Sequence, residues 1–118
     1  LGTKQGDIDK SCDYLADKVL NLRIFEDGDG KMNLSALDTH AEIMIVSQFT
    51  LYADTRKGRR PAFTDAMEPV EANRLYTRFI NLISQSGLVV KSGVFGAKMD
   101  VRFSNYGPVT IILDHDLS

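Results

Sequence analysis

Glu42-Ile43-Met44-Ile45-Val46-Ser47-Gln48-Phe49-Thr50-Leu51 decides how this chain is read, because four apolar residues in a row pass directly into the hydrogen-bonding side chains of Ser47, Gln48 and Thr50. Ile43 to Val46 have no polar residue to alternate with, so the expectation is a strand over about 42–49, covered on both faces and rigid at its end. A rigid strand end that turns polar is a good mount for chemistry. Further along, Asn105-Tyr106-Gly107-Pro108-Val109-Thr110 repeats the pattern beside the apolar run Ile111-Ile112-Leu113. The two stretches are expected to face one another.

Upstream of that strand, Asp7 is placed to cap a helix over about 7–22, whose apolar residues Ile8, Cys12, Leu15, Val19 and Leu22 recur at three- and four-residue steps. Arg23-Ile24-Phe25-Glu26 reads as a short strand and Asp27-Gly28-Asp29-Gly30 as the turn that reverses it. The turn also looks like calcium ligands, but it lacks the spaced carboxylates and closing Glu of an EF-hand loop. Met32 to Leu37 reads as irregular. Downstream, Pro69 opens a second helix with Ala72, Leu75, Tyr76, Phe79, Leu82 and Ile83 on its buried face and Gly87 as its stop. The last third reads as strands at 88–91, 99–104 and 109–114, with a tight glycine-rich connection over 92–97. The order predicts an α+β domain with a mainly antiparallel or mixed sheet.

With 118 residues, 43% of them hydrophobic, there is room for one domain over 1–118 and one core. Sixteen acidic and fourteen basic residues leave a formal charge of −2, which argues against a nonspecific duplex-DNA binder and confines any nucleic-acid contact to a local patch. The candidate patch is Arg56-Lys57-Gly58-Arg59-Arg60, readable either as a solvated loop or as a phosphate contact. Cys12, the one cysteine, excludes an internal disulfide and reads as a small core residue. Neither a membrane-length apolar run nor a signal peptide is seen, so a cytoplasmic protein without membrane partners is expected. The chain starts without Met, which suggests residues upstream of Leu1.

His40 and His115 sit in plain polar contexts, so a serine-hydrolase triad is not expected. The histidines, Cys12 and the scattered carboxylates show no metal-ligand spacing, and no glycine pattern matches a phosphate or dinucleotide loop, so no metal and no cofactor are expected. What remains is a site of hydroxyls, one amide and main chain. Such groups orient a substrate or stabilise an oxyanion rather than shuttle protons. Gly107-Pro108 reads either as an ordinary turn before a strand or as a cis peptide with main chain open to a ligand.

Ser47-Gln48-Phe49-Thr50-Leu51 and Asn105-Tyr106-Gly107-Pro108-Val109-Thr110 resemble the two signature motifs of the D-aminoacyl-tRNA deacylases, also called D-tyrosyl-tRNA deacylases. Asn21 to Asp27, Thr55 to Pro61 with Phe63, and Gly93 to Ala97 with Met99 are similar too, in the family's order and across essentially the whole chain. The resemblance implies a β-barrel-like domain with two outer helices, working as a homodimer on aminoacyl-tRNA. It implies hydrolysis of the ester of D-aminoacyl-tRNA, with acceptance of glycine mischarged on tRNA-Ala and rejection of L substrates by a Gly-cisPro pair. Ser47, Gln48, Phe49 and Thr50 are then the catalytic residues, Thr50 as nucleophile or, preferably, as positioning group. Gly107, Pro108, Met99 and Thr110 select the substrate's hand, and Arg56, Lys57, Arg59 and Arg60 meet tRNA phosphates. Family members begin with a further hairpin-containing segment, so the resemblance also implies a missing N-terminal segment and exposed sheet edges. Two other readings stand beside it: an editing domain like that of archaeal threonyl-tRNA synthetases, acting on L-serine, and a noncatalytic RNA-binding module.

Overall fold

The computed structural model describes residues 1–116, so the last two residues of the domain expected over 1–118 lie outside the described residues. Its elements are α1 (Asp9–Asn21), β1 (Phe25–Glu26), β2 (Met32–Leu34), α2 (Ala36–Thr39), β3 (Ile43–Ile45), a 3-10 turn (Phe49–Tyr52), α3 (Pro69–Ser84) and β4 (Val90–Ser92). Cys12 and Ala16 on α1 meet Leu75, Tyr76, Phe79 and Ile83 on α3, and Ile45 of β3 completes the buried cluster. The apolar stripes of the two helices thus close on each other, as their three- and four-residue spacing requires.

Both helix readings hold, with local corrections. Asp7 does not cap α1: the cap position is Ile8, and the Asp7 carboxylate instead accepts the Lys4 N–H at 2.7 Å, closing a turn upstream. Ile8, counted in the apolar stripe, is exposed there. On α3 the Glu68 carboxylate accepts the Val70 and Glu71 N–H groups, and Pro69 occupies the first turn where a missing N–H costs nothing. Gly87 ends this segment in the left-handed region, where a Cβ is disfavoured. Across the helix pair, Arg74 meets Asp9 at 2.7 Å and Arg78 meets Asp13 at 2.8 Å.

β1 and β2 form the expected antiparallel hairpin, and the Asp27 carboxylate accepts the Asp29 and Lys31 N–H groups and the Asn33 amide, so it is consumed in holding the turn. The stretch 32–37 is ordered rather than irregular. Ser35 and Asp38 exchange side-chain-to-main-chain bonds in a capping box, and that reciprocal pair starts α2.

β3 lies parallel to β4, with Ile43, Met44 and Ile45 opposite Val90, Lys91 and Ser92. Parallel neighbours need a crossover, and α3 is the helix within it. The expectation that β3 is covered on both faces is corrected: Ile45 is buried against α3, whereas Met44 is 63% exposed. Helices cover one side only.

The strands expected at 99–104 and 109–114 are not formed among the described residues, nor is a closed barrel; the sheets are the two separate pairs. Alternating side chains make a strand only where a neighbour supplies the ladder bonds, and none of the described residues pairs with this segment. Val101, Phe103 and Ile112 are consequently exposed, the last two at 78% and 83%. The architecture is α+β, with α3 packed against the parallel pair and α1 packed on α3.

Candidate active site

Past Ile45 the chain leaves the ladder through Val46 and Ser47, and turns at Gln48 into the 3-10 segment. Val46, Ser47, Gln48 and Phe49 form one wall of a cavity of ≈ 630 Å³. Phe95, Gly96, Ala97 and Met99 form a second wall, and Phe63, Met67, Glu68 and Tyr76 are also part of the lining. Gly93 binds the end of β3 through its N–H to the Ile45 carbonyl at 2.8 Å, which sets the two walls side by side. The aromatic rings of Phe49 and Phe63 meet edge to face, with centroids 5.0 Å apart, at the rim.

Thr50 stands in the turn, where its hydroxyl accepts from the Gln48 side-chain amide. This bond joins two of the residues read as catalytic and spends one amide proton on holding Thr50. Beyond the turn, Leu51 and Tyr52 line a second cavity, of ≈ 540 Å³, together with Thr110, Ile111, Ile112, Cys12 and His115. The Phe49–Tyr52 segment therefore contributes to both spaces, Phe49 to the first and Leu51 and Tyr52 to the second, while Thr50 lines neither.

The residues singled out in the sequence separate accordingly. Ser47, Gln48, Phe49 and Met99 share the first cavity, and Thr110 lies in the second. Gly107 and Pro108 line neither; their peptide bond is cis, and they belong to the exposed segment in which Tyr106 is 98% accessible. Within one chain the two motif stretches do not face each other around a single space. Of the four cations, Arg56 is already bound bidentately by Asp54, at 2.9 and 2.8 Å, and this guanidinium pulls the Asp54 carboxyl down to about 2. Lys57, Arg59 and Arg60 are exposed on the same loop.

Proton-transfer groups are scarce here. His40 ends α2 in the left-handed region, and His115 stacks on Tyr14 with centroids 4.2 Å apart, so neither lines the cavity that Ser47 lines. Burial pushes the Cys12 thiol up to about 11, which removes it as a nucleophile near neutral pH. Glu68 reaches the cavity, but both its oxygens accept main-chain N–H groups at the start of α3. Among the described residues no group of three or more His, Cys, Asp or Glu is arranged to hold a metal ion. None of the described helices is long and apolar enough to cross a membrane.

Reading by motif missed Glu68 and Tyr76. Tyr76 carried a usable signal, since a tyrosine on a buried helix stripe must find a partner for its hydroxyl.

Comparison with known proteins gives a consistent picture. The family model described as D-Tyr-tRNA(Tyr) deacylase matches residues 1–114. A protein of Aquifex aeolicus (strain VF5) named D-aminoacyl-tRNA deacylase is 54% identical over 114 residues, 97% of this chain and 77% of that protein. Its namesake in Carboxydothermus hydrogenoformans is 51% identical, over 97% of this chain and 79% of that protein. Among solved structures, one described as the c-Myc DNA unwinding element binding protein superposes with a TM-score of 0.89 at 40% identity, over 98% of this chain and 79% of that one. Another, described as a probable eukaryotic D-amino acid tRNA deacylase, has a TM-score of 0.74 at 20% identity over 92% and 77%, and speaks for the fold.

Proposed function

This chain belongs to the D-Tyr-tRNA(Tyr) deacylase family and is a D-aminoacyl-tRNA deacylase, a hydrolase, and from that premise we propose how its residues cleave the ester and select its hand. The aminoacyl-adenosine end of the tRNA enters the cavity between Ser47-Gln48-Phe49 and Phe95-Met99. Water adds to the ester carbonyl, the bond to the ribose oxygen breaks, and that oxygen takes the proton, leaving free amino acid and tRNA. Ser47 and Gln48 hold the adenosine end. The main chain at Phe49 and Thr50, where the first N–H groups of a helical turn lack partners within it, stabilises the oxyanion.

An aminoacyl ester is activated, and the neighbouring ribose hydroxyl assists, so a site without a histidine beside its hydroxyls suffices. Thr50 positions rather than attacks: its hydroxyl accepts from the Gln48 amide, and among the described residues no base is hydrogen-bonded to it. Lys57, Arg59 and Arg60 meet backbone phosphates, a contact that carries no sequence information and suits many tRNAs; Arg56 contributes less because Asp54 neutralises it.

The hand of the substrate is read by main chain. The exposed Gly107-Pro108 stretch of one copy reaches the cavity of a second, and the apolar residues around it become covered in a homodimer. A D residue directs its side chain away from this wall, an L residue drives its side chain into it, and glycine mischarged on tRNA-Ala has nothing to exclude. A tRNA substrate is consistent with work in the cytoplasm.

The single observation that carries the reading is the motif wall Ser47-Gln48-Phe49 lining one cavity with Met99, in a chain matched to the family over residues 1–114. Its test is ester cleavage: release of tyrosine from D-Tyr-tRNA with turnover supports it. Salt-dependent binding of tRNA without cleavage, even at high protein concentration, would favour a noncatalytic RNA-binding module instead.

A further inference from the structure

Tyr76 stands in the middle of α3, 4% exposed, with its ring tilted against Phe95 at 5.8 Å between centroids. Packing alone does not explain a tyrosine there, because phenylalanine fills the same apolar stripe. The difference is the hydroxyl, which lies 3.0 Å from the Ile45 carbonyl and 2.8 Å from the Gly93 carbonyl. A hydroxyl has one proton to donate. The Ile45 carbonyl already accepts the Gly93 N–H at 2.8 Å, so that proton is best used on Gly93, the nearer acceptor.

The hydroxyl thus ties the centre of the crossing helix to the residue after β4, whose own N–H holds the end of β3. From this knot the chain runs on one side to Ser47 and Gln48, and on the other to Phe95 and Met99. Those are the two walls of the cavity. We propose that Tyr76 is a positioning residue of the deacylase, its hydroxyl fixing the distance between these walls and so the fit of the aminoacyl-adenosine end. The proposal rests on the functional reading above and adds a residue to it that touches no reacting atom.

The test replaces Tyr76→Phe and, as a control of similar packing cost, Ile83→Val, a fully buried apolar site about two turns further along the same helix that offers no hydrogen bond to either carbonyl. For Tyr76→Phe we expect kcat on D-Tyr-tRNA to fall about tenfold or more with KM within about twofold, because a small misplacement of walls is felt in the transition state. The Gly93 amide should exchange with solvent about tenfold faster, while amides of α3 do not follow. Ile83→Val should lower the melting temperature comparably and leave kcat unchanged.

Equal kcat losses in the two variants, an unchanged kcat in Tyr76→Phe, or exchange that accelerates uniformly across α3 would each overturn the positioning role. If the wild-type protein itself does not cleave D-Tyr-tRNA, the functional reading fails. The exchange comparison then still decides whether the hydroxyl holds the walls, since it needs no substrate.

Discussion

A methyl group on Gly93 would sit 2.7 Å from the sulfur of Met99 and 3.7 Å from a methyl of Val46, so the absence of a side chain at 93 sets where Met99 lies against the cavity wall. The backbone of Gly93 is not in the left-handed region, and the obstructing atom is near the free end of a flexible side chain. Gly93→Ala is therefore expected to change stability by no more than about 1 kcal/mol. Met99 must swing aside, and kcat/KM on D-Tyr-tRNA should fall about tenfold. Melting and steady-state kinetics on the same sample check both halves; an unaltered kcat/KM would remove Met99 from the site.

Thr50→Ala separates positioning from attack. If Thr50 only holds the Gln48 amide, the variant retains measurable turnover, reduced by about tenfold to a hundredfold, and no acyl-enzyme is trapped on rapid quenching. Complete loss of activity, with an acyl-enzyme on the wild type, would make Thr50 the nucleophile.

The basic loop is predicted to act unevenly. Arg59→Ala should weaken tRNA binding and lower the slope of log affinity against log salt by about one, whereas Arg56→Ala should change the slope less because Asp54 already binds Arg56 bidentately. Titrations of tRNA at several salt concentrations give the slopes directly. Equal losses for the two variants would mean that Asp54 releases Arg56 on binding.

Acid sensitivity follows from the helix pair. Hydrogen bonding to Arg74 holds Asp9 and Glu71 below their ordinary values, and Arg78 does the same for Asp13. Carboxylates lowered in this way stabilise the fold above their ordinary values, 3.8 for the aspartates and 4.5 for Glu71, and the contribution is lost as pH falls through the lowered folded values. The double variant Arg74→Gln/Arg78→Gln should melt a few degrees below wild type at neutral pH. That gap should close as pH falls through the lowered carboxylate values and shrink in high salt, since these groups are solvent-facing. A gap independent of pH would assign the effect to packing of the long arginine stems instead.

How far the sequence discloses all this depends on the kind of signal each element carries. The two long helices were legible because Cys12 on one and Leu75, Tyr76, Phe79 and Ile83 on the other lie on apolar faces that bury each other, whereas the short α2 was read as irregular. The hairpin was legible because Asp27 and the glycines demand a turn. Strands 99–104 and 109–114 were not: alternation states which side chains share a face and is silent on whether a neighbouring backbone exists to pair with. Coverage of β3 misled for a related reason, since an unbroken apolar run contains Met44 as well as Ile45, and only one of them meets α3. Within the site, the wall Ser47-Gln48-Phe49 was visible as a motif, whereas Tyr76 was visible only as core. Its hydroxyl's partners, the carbonyls of residues 45 and 93, have no sequence signature at all.

Gly107 is where main chain is expected to matter most. It has φ of +138°, and an added Cβ would lie 3.1 Å from both the main-chain nitrogen and a methyl of Val109. Gly107→Ala forces this stretch to rearrange, because an L side chain rarely adopts that conformation. The ratio of rates on D- and L-Tyr-tRNA should drop in the variant by more than its affinity for tRNA does. A preserved ratio would remove Gly107 from chiral selection.

The most direct test of the account is the ratio of kcat/KM for D-Tyr-tRNA to that for L-Tyr-tRNA, measured with the unmodified protein on the same tRNA preparation. A main-chain wall that collides with the L side chain predicts preference for the D ester on the order of a hundredfold or more. Equal rates on the two esters would contradict it.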